Sequence, residues 1–141
     1  MAVVKKYELP DELYHHKEHM WLRAEDDVAT VGLNDFAQKL AGEIQFVELP
    51  DVDDEVSADE VVGTVETGKW VGKLYALVSG DITEVNEDVD DDPSLINSDP
   101  YGDGWLFKLK MADGSELSNL MQGEDAVAWL EEEIGKHDTS E

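Results

Sequence analysis

Lys69 stands in the segment Glu66-Thr67-Gly68-Lys69-Trp70, between apolar runs that begin at Val61 and Val71. A turn there would hold the amine clear of the backbone, ready to be acylated or simply solvated. On local pattern alone the ordinary solvated lysine is the better reading. A second group is His15-His16-Lys17-Glu18-His19. On a helix, His15 and His19 would share a face at a spacing that can bind zinc. The zinc-protease pattern, however, needs glutamate directly after the first histidine, and His16 occupies that place; the one other histidine is His137. Hydrogen-bonded or solvated histidines are therefore expected, and no metal. Asp88, Asp90 and Asp92 alternate like the start of a calcium loop, yet Pro93 holds the glycine position and Asp99 the glutamate position. Carboxylate pairs carry no signal in a chain with 35 acidic residues, so no catalytic residue is assigned.

The formal net charge of -25, from 35 acidic against 10 basic residues, opposes association with phosphate backbones or anionic membranes. Two causes fit the acidity: adaptation to a salty cytoplasm that screens the repulsion, or docking to basic partners. The even dispersal of the acids favours the first. With no cysteine, disulfides, thiolate metal sites and cysteine nucleophiles are excluded, and any sulfur chemistry must come from a cofactor. No run reaches the roughly 20 apolar residues needed to cross a bilayer, and the N-terminal stretch lacks a signal-like apolar segment. A cytoplasmic protein is expected, without nucleic-acid or membrane partners.

The elements that must position Lys69 are short. At 141 residues and 41% hydrophobic composition, the chain supports one domain with a core. Residues 1–13 read as an extended lead-in, with a turn or short helical start at Glu12-Leu13-Tyr14. Trp21, Leu22, Val28, Thr30 and Val31 suggest two strands joined at Glu25-Asp26-Asp27. Asn34 can cap a helix through Phe36, Ala37, Leu40 and Ala41, ended by Gly42 in a left-handed cap. Ile44 to Leu49 reads as a strand closed by Pro50, and Val56 begins another. Val61 to Val85 reads as strand, tight turn, strand, tight turn, strand, with Lys69 on the first turn and Ser79-Gly80 on the second. A polar loop from Asn86 to Pro100 precedes a last strand, 104–109. Apolar residues recur at helical spacing from Leu117 to Met121 and from Ala126 to Ile134. The pattern predicts an all-β or α+β barrel or sandwich, with no GxGxxG, P-loop or βαβ alternation.

From Tyr14 to about Ile134 the chain resembles the H proteins of the glycine cleavage system, lipoyl carriers related to biotinyl/lipoyl domains. The matching blocks include Lys17-Glu18-His19-Met20-Trp21, Val28-Ala29-Thr30-Val31-Gly32-Leu33, Phe36-Ala37-Gln38, Val65-Glu66-Thr67-Gly68-Lys69, Val78-Ser79-Gly80, Leu95-Ile96-Asn97 and Asp99-Pro100-Tyr101-Gly102-Asp103-Gly104-Trp105. The resemblance implies a small barrel-sandwich hybrid with a short internal helix and C-terminal helices. It divides the chain into the lead-in 1–13, a carrier domain 14–134 and a polar tail 135–141. Lys69 would carry lipoate through an amide, with Glu66, Thr67, Gly68, Trp70 and Asp103 presenting the arm or being read by the attaching enzyme. A tethered dithiolane carries electrons or a small group between docked enzymes, and its carrier need not be an enzyme.

The departures bear on the cargo. H proteins typically carry Ser-Val before the modified lysine and small residues after it, where this chain has Thr67-Gly68 and Trp70-Val71-Gly72-Lys73. Met20 stands where an acidic residue is common, and Lys39-Leu40-Ala41 follow Ala37-Gln38. The Thr67-Gly68-Lys69-Trp70 setting is similar to H-protein-like lipoate-binding proteins of heterodisulfide-reductase-like sulfur oxidation. That pathway is the first expectation, and glycine cleavage, with an aminomethyl cargo, the alternative. A biotin carrier is a minor third, since its lysine is usually flanked by methionines. The implied partners are a lipoate ligase or lipoate-assembly enzymes, dihydrolipoyl dehydrogenase, and either a heterodisulfide-reductase-like complex or glycine decarboxylase with aminomethyl transferase. A monomer is expected.

Overall fold

The structure is a computed structural model that describes residues 2–4, 7–9, 13–16, 19–68, 71–112 and 114–137, with backbone alone at 2–4, 7–9 and 135–137. Strands β1 (Ala2–Val4) and β2 (Tyr7–Leu9) pair antiparallel, so residues expected as an extended lead-in form a small hairpin of their own. Next come β3 (Tyr14–His16), β4 (Met20–Glu25) and β5 (Val28–Leu33). Of the turn or short helical start expected at 12–14, Glu12 lies outside the described residues, while Tyr14 enters β3 and pairs with Leu22. The β4–β5 turn falls at Asp26-Asp27 as expected, with Asp26 at φ +56, a conformation that aspartate tolerates better than most residues.

Helix α1 (Asp35–Ala41) begins where the sequence signals it: the Asn34 side chain accepts a hydrogen bond from the Ala37 N–H at 2.8 Å. Gly42 ends it at φ +82 and ψ -159, so the chain leaves extended rather than in a left-handed helical turn. There follow β6 (Phe46–Glu48), β7 (Glu55–Val56), β8 (Val61–Glu66), β9 (Val71–Tyr75) and β10 (Gly80–Val85). The polar loop expected from 86 to 100 contains two short helices, α2 (Glu87–Asp91) and α3 (Leu95–Ser98), capped at Asn86 and begun after Ser94. Strand β11 (Phe107–Met111) starts later than expected because Trp105 is still in the preceding turn, donating its N–H to the Gly102 carbonyl at 3.1 Å. A 3-10 turn (Gly114–Asn119) and α4 (Glu124–His137) follow, the helix passing the boundary expected at 134.

Two sheets share one core. The larger has the order β3-β4-β5-β11-β10-β7, and the smaller β6-β8-β9. Leu22 and Val31 from the first, and Val65 and Leu74 from the second, all sit in one buried cluster. The stretch 61–85 is therefore not one meander. Ala76, Leu77 and Val78 are buried side by side as the chain crosses from the small sheet to the large one, and alternation cannot operate where both sides are covered. A second cluster forms where Ala126, Leu130 and Ile134, one face of α4, close over Phe36.

The 99–105 turn is tied to β4 and α1. Trp21 donates its indole N–H to the Pro100 carbonyl at 2.8 Å, Arg23 donates to the Tyr101 carbonyl at 2.9 Å, and the Tyr101 hydroxyl accepts from the Asp35 N–H at 2.9 Å. Gly32 makes room for that indole, since a Cβ there would lie 2.7 Å from the Trp21 ring. The matching block 99–105 thus has a structural use in this chain.

Candidate functional site

Strands β8 and β9 pair in register, with Glu66 opposite Val71, Val65 opposite Gly72 and Thr64 opposite Lys73. Residues 67–70 are the connection between them, so Lys69 belongs in sequence to the hairpin tip that its glycine-containing segment signals. Lys69 and Trp70 themselves lie outside the described residues. Glu66 and Gly68 are exposed and Thr67 is half-buried. Among the described residues, a Cβ at Gly68 would come no closer than 3.8 Å to a neighbour, the Gln45 side-chain nitrogen, and its backbone has no positive φ. Neither space nor conformation demands glycine there; what it does is leave the flank of Lys69 without a side chain.

Strand β6 lines this tip on the other side. Gln45 donates its N–H to the Glu66 carbonyl at 2.8 Å, and Phe46 pairs with Glu66. The segment is held from behind by Asn97, whose Oδ1 accepts from the Ile44 N–H at 2.9 Å while its Nδ2 donates to the Gly42 carbonyl at 2.8 Å. Phe46, read from sequence as part of an apolar strand, is 63% exposed, and Val71 is 61% exposed. The signal was present: adjacent Phe46 and Val47 on a strand must point to opposite faces. Asp103 belongs to the 99–105 turn, not to the strands flanking Lys69. Its N–H donates to Asp99 Oδ2 at 2.9 Å and its carbonyl accepts from Asn86 Nδ2 at 2.8 Å.

The histidine cluster is dispersed. His15 and His16 lie in β3, where alternation sends them to opposite faces, so the shared helical face considered for His15 and His19 does not exist. His15 is buried in the strand, exchanging backbone hydrogen bonds with Met121 at 2.7 and 2.9 Å. His16 Nε2 meets Asp59 Oδ1 at 2.6 Å at the edge of a cleft of ≈ 290 Å³, beside Leu77 and Met121. His19 Nε2 meets Glu133 Oε1 of α4 at 3.1 Å, its ring between Phe36 and Trp129. Each anchors a different contact, and among the described residues no three histidines or carboxylates gather as a metal site. Asp88 and Asp90 lie in α2, which is not the geometry of a calcium loop.

The comparisons with known proteins agree on one family. The family model for the glycine cleavage H-protein matches residues 13–133. The glycine cleavage system H protein of Carboxydothermus hydrogenoformans is 45% identical over 125 residues, covering 89% of this chain and 96% of that one. That of Alteromonas mediterranea is 46% identical over 126 residues, covering 89% and 98%. The crystal structure of a glycine cleavage system H protein from Mycobacterium marinum superposes with a TM-score of 0.72 at 35% identity, over 79% of this chain and 97% of that one. Its likeness extends the two-sheet architecture seen here to the lipoyl-type barrel-sandwich expected from the sequence. With a family model spanning most of its length and relatives near half identical, this chain belongs to the glycine cleavage H-protein family.

Proposed function

We propose that the chain is a lipoyl carrier of the glycine cleavage system, loaded through an amide on Lys69 and serving enzymes rather than being one. The observation that carries this reading is the pairing of Glu66 with Val71, which makes 67–70 a strand connection, in a chain of this family. When bound, a lipoyl group would supply a dithiolane on a long tether, able to take up a small carbon group and two electrons. The described surroundings fit such a group. Glu66 and Gly68 are exposed, no described residue comes within 3.8 Å of a Cβ placed at Gly68, and the cysteine-free chain offers no thiol to react with a disulfide. Residues 14–134 form the carrier unit, and Glu66, Thr67, Gly68 and Trp70 flank the attachment point. Asp103 contributes by holding the 99–105 turn.

Glycine decarboxylase, aminomethyl transferase and dihydrolipoyl dehydrogenase are the partners that the family name favours, with a ligase or assembly enzyme for the arm. The names of the relatives reverse the order expected from Thr67-Gly68-Lys69-Trp70: they favour glycine cleavage, and nothing in them supports sulfur oxidation or a heterodisulfide-reductase-like complex. A monomeric cytoplasmic carrier accords with the charge of -25 and with helices none of which, among the described residues, is long and apolar enough to cross a membrane.

The test is intact mass after incubation with a lipoate ligase, lipoate and ATP. The expected result is one added lipoyl group, lost in Lys69→Arg and kept in Lys73→Arg. Addition to the Lys69→Arg protein, or none to the wild type, overturns the reading. Loading of the lipoylated protein by glycine decarboxylase then checks the pathway.

A further inference from the structure

We propose that Phe46 and Val71, on either side of Glu66, form the docking surface for the enzyme that acylates Lys69, and that this enzyme meets them with an apolar shelf edged by basic side chains. The inference rests on the lipoyl-carrier reading.

The three residues form one row across the small sheet: Phe46 pairs with Glu66, and Glu66 with Val71. Directly opposed residues point to the same face. The next row, Val47, Val65 and Gly72, is half-buried to buried and faces the core, so the first row faces out. Phe46 at 63% and Val71 at 61% exposure exceed Leu40, Val52 and Val61, which stand between 46% and 48%. With strands about 4.8 Å apart, the two side chains spring from points roughly 10 Å apart, the width of a single apolar contact.

Proximity to Lys69 decides the occupant. Val71 is two residues from the lysine, and Phe46 is in register with the strand end that leads into it. A lysine reaches only about 6 Å from its backbone on its four-carbon stem. An enzyme that acylates the amine must therefore close over the strand ends beside it. Enzymes that react with the distal end of a tethered group can stay at the length of the tether. In the acylation, an activated lipoyl adenylate loses AMP as the bond from its carbonyl carbon to Nζ forms and a proton leaves the nitrogen. Nothing in that step needs Phe46 or Val71, which leaves binding as their role. The charge of the row sets the rim: Glu66 lies between the two apolar residues, with Glu43 and Glu48 exposed nearby in sequence on the β6 side. In a chain of charge -25, the complementary partner is basic.

The experiment measures kcat/KM for lipoylation of the full chain by a lipoate ligase with lipoate and ATP, comparing wild type, Phe46→Ser/Val71→Ser and Phe46→Leu. The expected result is a loss of about tenfold in the double variant, the size of a typical hot-spot contact, and near wild-type rate in Phe46→Leu. Thermal melting stays unchanged, and once lipoylated to completion the double variant is reduced by dihydrolipoyl dehydrogenase and NADH at the wild-type rate. Lipoylation within about twofold of wild type overturns the proposal, as does an equal loss in both assays. Should the double variant melt early, Phe46→Ala alone gives the same comparison. If wild type itself gains no lipoyl mass, the carrier reading fails first and this proposal with it.

Discussion

The side-chain amide of Asn97, on α3, holds the Ile44 backbone N–H at 2.9 Å and thereby pins the segment that runs beside the Lys69 hairpin. The same amide donates to the Gly42 carbonyl at 2.8 Å, so one side chain distant in sequence stands in for two backbone partners. Asn97→Ala leaves both groups without it. A stability loss of about 1–3 kcal/mol is expected, measured as a shift in the urea midpoint at unchanged slope. Asn97→Asp keeps the acceptor for Ile44 but turns a carboxylate oxygen toward the Gly42 carbonyl, so it should cost at least as much as Asn97→Ala.

Gly63 of β8 lies beside the end of β6, and a Cβ there would run into the Glu48 carbonyl oxygen. Backbone cannot move aside as a flexible side chain can. Gly63→Ala is expected to cost about 1–3 kcal/mol through overpacking. Gly114→Ala is the control: among the described residues nothing stands within 4 Å of the added carbon, and its melting curve should overlay that of wild type.

Gly68→Ala should also fold normally, since among the described residues its new carbon meets no neighbour closer than 3.8 Å. Any slowing of lipoylation in that variant is then a matter of access to Lys69. A drop in melting temperature would show instead that the glycine is structural.

Trp21→Phe removes the donor to the Pro100 carbonyl while keeping an aromatic ring beside Tyr101. A loss of about 1 kcal/mol is expected from the hydrogen bond, with a further cost for the space left beside Gly32. Hydrogen exchange should rise in the 99–105 turn before it rises in β8 and β9.

The charge of -25 makes stability depend on salt. Raising KCl from about 0.1 M to about 1 M shortens the screening length from about 10 Å to about 3 Å and relieves the self-repulsion. The melting temperature should climb across that range. A flat profile would show that the acids are compensated locally.

Short-range chemistry made much of this protein legible. The Asn34 cap, the positive-φ Gly42, the Asp26-Asp27 turn and the flanks of the Lys69 hairpin all depend on residues within four or five positions of one another. Local pattern alone leaves Lys69 an ordinary solvated lysine, and it is the resemblance to H proteins that marks it as the proposed attachment point. Long-range pairing decided the rest. No local signal sends β9 and β10 to different sheets; the buried crossing at Ala76-Leu77-Val78 does, because core on both sides removes alternation. Tyr14, read from sequence with a turn or short helical start, belongs to β3 because pairing with β4 satisfies its backbone better than a single turn could. His15, His16 and His19 are neighbours in sequence whose side chains meet different partners, since the strand turns His15 and His16 to opposite faces and His19 lies beyond it against α4. Phe46 and Val71 are 25 positions apart and share one exposed row only because each pairs with Glu66.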